Sequence, residues 1–192
     1  MKIVVFSDLH ANKQSLQDIE PELKDADLSI FCGDILGYGQ DLEDCIDFIF
    51  HHVDLVVLGN HDRMSITQEN LNNQHPLVRD SIEYTRKRLS DEQILLLSSL
   101  KPEIYFENMY IIHSLGDDYL RSEKDLMRLI NHTSSEIKYI FFGHTHEKAF
   151  FEHNGKTIIN PGSITKGRNG FKRGYVQIDD DEIKFIDLED IL

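Results

Sequence analysis

Cysteine is scarce in this chain, basic residues are outnumbered, and long apolar runs are missing. Cys32 and Cys45 are the only cysteines, too widely spaced for a thiolate metal motif and too few for a disulfide framework. A reduced, cytoplasmic protein is the expectation that follows. Lysine and arginine number 20 against 34 aspartates and glutamates, a formal net charge of −14. Nucleic-acid backbones and anionic membranes are bound by basic stripes, so neither is expected as a partner. A single phosphate-bearing substrate stays open, because bound cations reverse the sign of charge locally. No stretch approaches the roughly 20 apolar residues that a bilayer-spanning helix needs. Met1-Lys2 leads straight into Ile3-Val4-Val5-Phe6, too short and wrongly followed for a secretory signal. Internal repeats, low-complexity tracts and linkers are also lacking. The 192 residues are therefore read as a single domain with its own core, and a homo-oligomer is compatible with that reading.

Histidine, by contrast, is plentiful: there are 10. Two of them, His144 and His146, follow the apolar run Tyr139-Ile140-Phe141-Phe142 and Gly143. That run reads as a buried strand. In extended backbone an i, i+2 spacing sends both rings to one side, and paired imidazoles suit a transition metal. The same arrangement recurs. A strand over 2–7 ends at Asp8-Leu9-His10, one over 27–32 at Gly33-Asp34, one over 53–58 at Gly59-Asn60-His61-Asp62, and one over 109–112 at His113. Open α/β sheets place their ligands at the carboxyl ends of strands. Asp8 taken alone reads equally well as a helix N-cap.

Between these points the pattern predicts a helix over 12–19 that Pro21 ends or kinks, and another over 41–50. Residues 64–100 carry no ligand pattern and read as a helical flank or cap, with a capping box at Ser90-Asp91-Glu92-Gln93. A hairpin over 103–112, a helix over 123–131, a turn at Asn160-Pro161-Gly162-Ser163 and two closing strands over 174–187 complete the chain.

Taken together, Asp8-x-His10, Gly33-Asp34, Gly59-Asn60-His61-Asp62, His113 and Gly143-His144-x-His146 resemble the calcineurin-like metallophosphoesterases over almost the whole chain. The runs Gly33–Gly39 and Asn160–Ser163 look like the compact bacterial and archaeal phosphodiesterase branch. The resemblance implies an α/β fold, a four-layer α-β-β-α sandwich of two mixed sheets. It implies two divalent transition-metal ions, manganese being the first expectation and iron, zinc or nickel the alternatives. Asp8, His10 and His146 would hold one ion, Asn60, His113 and His144 the other, and Asp34 would bridge them. A shared carboxylate keeps two cations roughly 3.5–4 Å apart, the separation used in phosphoryl displacement. The implied reaction is hydrolysis of a small phosphate ester, a phosphodiester before a monoester, by a hydroxide between the two metals. His61 would be the general acid.

Residues 114–118, Ser-Leu-Gly-Asp-Asp, depart from the glycine that relatives more often carry after this histidine, and their two acids would repel a phosphate or select a cationic group. Arg63, Lys166, Arg168, Lys172 and Arg173 are candidate phosphate contacts, with Arg168 preferred. Two other readings compete: a non-catalytic metal-binding scaffold on the same fold, and a nucleotide or cyclic-nucleotide phosphodiesterase. Retention of His61 and of every implied ligand speaks against the scaffold.

Overall fold

Strand β1 (Lys2–Phe6) shows how the layers arise. Its side chains alternate. Val4 and Phe6 pack with Leu16 and Ile19 of helix α1 (Lys13–Lys24) and Ile46 and Ile49 of helix α2 (Leu42–His52). Ile3 and Val5 turn the other way, onto Ile111 and Phe141 of a second sheet. That sheet alternates too: Met109 and Ile111 of β5 (Met109–Ile112) face β1, while Tyr110 and Ile112 face Leu126 and Leu129 of helix α6 (Glu123–His132). The result is the four-layer α-β-β-α sandwich. The computed structural model describes residues 1–180 and 182–191, and among these it holds ten strands and six helices.

The first sheet places β1 beside β2 (Leu28–Phe31), which pairs with β3 (Leu55–Val56); all three are parallel. On its other side β1 pairs antiparallel with β9 (Gly174–Asp179), which is followed by β10 (Glu182–Asp187). In the second sheet β5, β6 (Tyr139–Phe141) and β8 (Lys156–Pro161) run parallel, with β4 (Glu103–Phe106) and β7 (Lys148–His153) antiparallel at the edges. Both sheets are mixed, and their parallel strands run between covered faces as such strands require.

Several expectations need correction. Helix α1 continues through Pro21 to Lys24. The proline takes the hydrogen bond from the Gln17 carbonyl, but Gln17 and Pro21 are exposed, so water serves that carbonyl while buried Leu23 holds the last turn to the core. The third strand is two residues, not six, with Val57 bridging to Lys101 beyond it. Asn160 and Pro161 are strand, paired with Ala149 and Lys148, and the turn begins at Gly162. Asp8 caps no helix; Asn12 does, accepting from Ser15 N–H at 2.9 Å. The flank is helices α3 (Asn60–Ile66), α4 (Pro76–Arg86) and α5 (Asp91–Ser98), the last opened by the Ser90/Gln93 capping box.

Candidate metal centre

Every sequence-derived ligand lies at the same end of the sandwich, in the loops that follow β1, β2, β5 and β6 or, for Asn60, at the first residue of the helix that follows β3. Asp8, His10 and His146 form one group whose ligand atoms lie within 4.8 Å of one another, and Asp34, His113 and His144 form another. Asp34 stands between them, its Oδ2 3.4 Å from His113 Nε2 and 3.9 Å from His10 Nε2. Asn60 joins the second group, its Oδ1 lying 3.0 Å from His113 Nε2 and 2.9 Å from His144 Nδ1. Asp8, His10, Asp34, His113, His144 and His146 are buried and Asn60 is half-buried.

Backbone strain is concentrated here. Asp8, His10, Asp34, His144 and His146 have φ of 58°, 53°, 66°, 70° and 58°, a left-handed region that costs an L-residue on the order of 1 kcal/mol. Sharp reversals of this kind bring side chains from both sheets onto one point, and such strain collects at functional sites.

The imidazoles are oriented by carbonyls. His10 Nδ1–H donates to Leu36 O at 3.0 Å, His146 Nδ1–H to Lys166 O at 3.0 Å, and His113 Nδ1–H to Cys32 O at 2.6 Å. His144 is turned over, with Nε2–H donating to Asp117 O at 3.2 Å. A carbonyl only accepts, so each of these nitrogens carries a proton, and in a neutral ring the opposite one is a bare lone pair. The bare nitrogens all point inward. Those of His10 and His146 meet at 2.9 Å, where two lone pairs repel. Asp8 Oδ1, 3.3 Å from His146 Nε2, is buried without a hydrogen-bond partner. A divalent cation satisfies all three atoms, so the donor set fits metal ions held by oxygen and imidazole ligands.

Electrostatics point the same way. Burial, reinforced by the nearby His61, pushes His10 down to about 3, and burial with His113 pushes His144 down to about 4, keeping both neutral. For His113 burial is outweighed by Asp34, and its value rises to about 10. A proton there answers the charge of two buried carboxylates, the demand that cations would meet.

His61 is buried, its N–H donating to Asp34 Oδ1 at 2.8 Å. A ring nitrogen shares a third group with His10 and Asp34 ligand atoms. Its Nδ1 is buried and unpartnered, and burial lowers its pKa.

Of the two roles that its place in the motif suits, orienting the loop backbone or orienting His61, Asp62 fills the first. Its Oδ2 accepts from the N–H groups of Asp34 (3.0 Å), Ile35 (3.2 Å) and Gly59 (3.0 Å), and its Oδ1 from Leu36 N–H (2.9 Å). One carboxylate thereby fixes the loop bearing Asp34 and the carbonyl that orients His10. Burial and the Asp34 charge raise it to about 7, against the pull of these donors. Asp62→Ala strands four buried N–H groups and is expected to lower unfolding free energy by about 2–4 kcal/mol, measured as an earlier urea midpoint.

Asn160 and Ser163 brace the same centre. Asn160 Nδ2 donates to Gly143 O at 2.7 Å, and Ser163 Oγ to Asp8 O at 2.8 Å. The acids of 114–118 are not free to select a cation. Asp117 pairs with Arg63, which also holds Glu69, and Asp118 pairs with Arg128. Arg173 is buried against Asp18 and so is no substrate contact. Lys166 and Arg168 do line a cleft at the centre.

The calcineurin-like phosphoesterase superfamily domain matches residues 1–182. An uncharacterised protein of Methanocaldococcus jannaschii, MJ0912, is 28% identical over 205 aligned positions, spanning 95% of this chain and 84% of its own. The crystal structure of a metallophosphoesterase from Sphaerobacter thermophilus superposes with a TM-score of 0.85 at 22% identity, covering 100% of this chain and 90% of that one. A structure described as a novel archaeal phosphodiesterase gives 0.58 at 18% identity, over 98% and 100% of the two chains. Fold, family match and the order of the motifs agree, and the chain belongs to the calcineurin-like phosphoesterase superfamily.

Proposed function

We propose that the protein is a metal-dependent phosphodiesterase with a dinuclear centre. The observation that carries this is the pair of buried His/Asp groups with Asp34 between them and bare imidazole nitrogens turned inward. Asp8, His10 and His146 would hold one cation, Asn60, His113 and His144 the second, and Asp34 both. Bound divalent ions supply Lewis acidity toward a phosphoryl oxygen and activate the attacking water.

The chain's own residues do the rest. Carbonyls of Leu36, Cys32, Lys166 and Asp117 hold the imidazoles in the ligating tautomer. Asp62 keeps the Asp34 loop in place before substrate arrives, so no reorganisation is needed during reaction. His61 donates a proton to the departing alkoxide oxygen; burial makes its imidazolium a stronger acid. Arg63 is tied to Glu69 and Asp117, so the cations left for the phosphate are Lys166 and Arg168, and a diester carries one charge fewer than a monoester for them to meet. A diester monoanion suits such a site better.

The test is turnover of bis(p-nitrophenyl) phosphate and p-nitrophenyl phosphate by manganese-loaded and chelator-stripped protein, with metal content measured by mass spectrometry. Diester hydrolysis that exceeds monoester hydrolysis, falls to background on stripping and returns with Mn²⁺ is the expected result. Undiminished hydrolysis by protein shown to be metal-free overturns the reading.

A further inference from the structure

The centre opens on two clefts of different character. One, of about 410 Å³, is lined by Leu58, Arg63, Pro102, Ser114 and Asp117 beside Asn60 and His113, and its arginine is already paired. The other, of about 540 Å³, is lined by Tyr38, Leu77, Lys166 and Arg168 beside His10 and His146. No carboxylate lines the second cleft among the described residues. Leu77 is 68% exposed and Tyr38 44%, so the wall joins cationic heads to an accessible ring and an accessible aliphatic side chain.

Tyr38 is held there against its conformational preference. Its φ is +60°, a region where a bulky side chain is a true outlier. The glycines on either side allow the loop to sit so low. A Cβ on Gly37 would lie 2.2 Å from His61 Nδ1, and one on Gly39 2.2 Å from Ala11 O. Tyr38 N–H donates at 2.8 Å to Ser81 Oγ on α4, the helix that also carries Leu77. One part of the ring packs on His10 and His61, with centroids 4.8 and 4.9 Å away. Arg168 lines the same cleft as the phenol. Strain of this kind persists where surrounding contacts over-determine it, and it clusters at ligand clamps.

We propose that Tyr38 and Leu77 form the seat for a planar base, with Lys166 and Arg168 facing the phosphate, so that the substrate class is a nucleotide-type phosphodiester. This rests on the phosphodiesterase reading above and adds to it the group carried by the ester and the residue that selects it. Stacking tolerates any base because each has a π-face, so the seat recognises a nucleoside without fixing which one.

Adenosine 5′-monophosphate and ribose 5-phosphate share sugar and phosphate and differ by the base. Calorimetric titration of the manganese-loaded protein with each reads what the base adds. The nucleotide is expected to bind about tenfold more tightly, within the range of one base–aromatic stack. Tyr38→Ala removes that preference and brings the two affinities together, Tyr38→Phe keeps it, and Arg168→Ala weakens both ligands alike. Equal affinities in the wild type, or a preference that survives Tyr38→Ala in protein of unchanged unfolding midpoint, overturn the proposal. Turnover of bis(p-nitrophenyl) phosphate by the same preparation separates the two failures. Turnover with equal affinities discards the base seat alone, whereas no metal-dependent turnover discards the phosphodiesterase reading.

Discussion

Asp34→Asn is expected to retain at most one of two bound manganese ions and to lose diester hydrolysis by at least about 10³-fold. The substitution is isosteric, and it separates two jobs. Asp34 Oδ1 accepts the His61 N–H at 2.8 Å, and an amide oxygen continues to do so, so the loop keeps its shape. The other oxygen, Oδ2, lies 3.4 Å from His113 Nε2 and 3.9 Å from His10 Nε2. An amide nitrogen there brings hydrogens toward the place two cations would share and removes the negative charge that holds them. Metal content by mass spectrometry together with kcat/KM decides the point. Two ions retained, with a rate within tenfold of wild type, would show that Asp34 bridges nothing.

His61→Ala should cost about 10²–10⁴-fold in kcat, the span of one general acid, but only on esters with a poorly departing alcohol. The p-nitrophenolate group leaves unaided, so its ester should lose far less. The reason to compare leaving groups is geometric. A His61 ring nitrogen falls within 4.8 Å of ligand atoms on His10 and Asp34, close enough for a ligand as well as for an acid. A proton donor that is removed leaves metal content at two and steepens the dependence on leaving-group basicity. A ligand that is removed lowers metal content and slows every ester by the same factor. Loss of metal with uniform slowing would therefore end the acid assignment.

Much of the site could be read from residue order because it is local. Each implied ligand stands within a few residues of a buried strand's end, and an apolar run followed by glycine and a polar pair marks such an end. The alternation that assigns Val4 and Phe6 to one layer and Ile3 and Val5 to another is equally visible as a period of two. What was hidden depends on contacts between distant segments. The carbonyls of Leu36, Cys32 and Lys166 set the imidazole tautomers, yet every residue has a carbonyl, so residue type carries no signal. Asp62 reads as an acid that orients either the loop backbone or His61, and only the convergence of four N–H groups from two loops decides for the backbone. Pro21 misleads because its cost depends on whether water reaches the carbonyl it abandons. The acids at 117 and 118 look unopposed until Arg63 and Arg128 are found across from them. The Gly-Tyr-Gly run at 37–39 reads as a loop, and only the positive φ of its tyrosine sets it apart.

The seating of β1 between β2 and β9 has a bearing on how the protein matures. Asp8 and His10 follow directly on β1, yet one of that strand's neighbours, residues 174–179, lies far along the chain. Pairing across so great a distance along the chain is slow, because loop-closure entropy is lost before the contacts offset it. Until that pairing forms, Asp8 and His10 have no frame to fix them, so closure of the first sheet and completion of the centre are one event in folding.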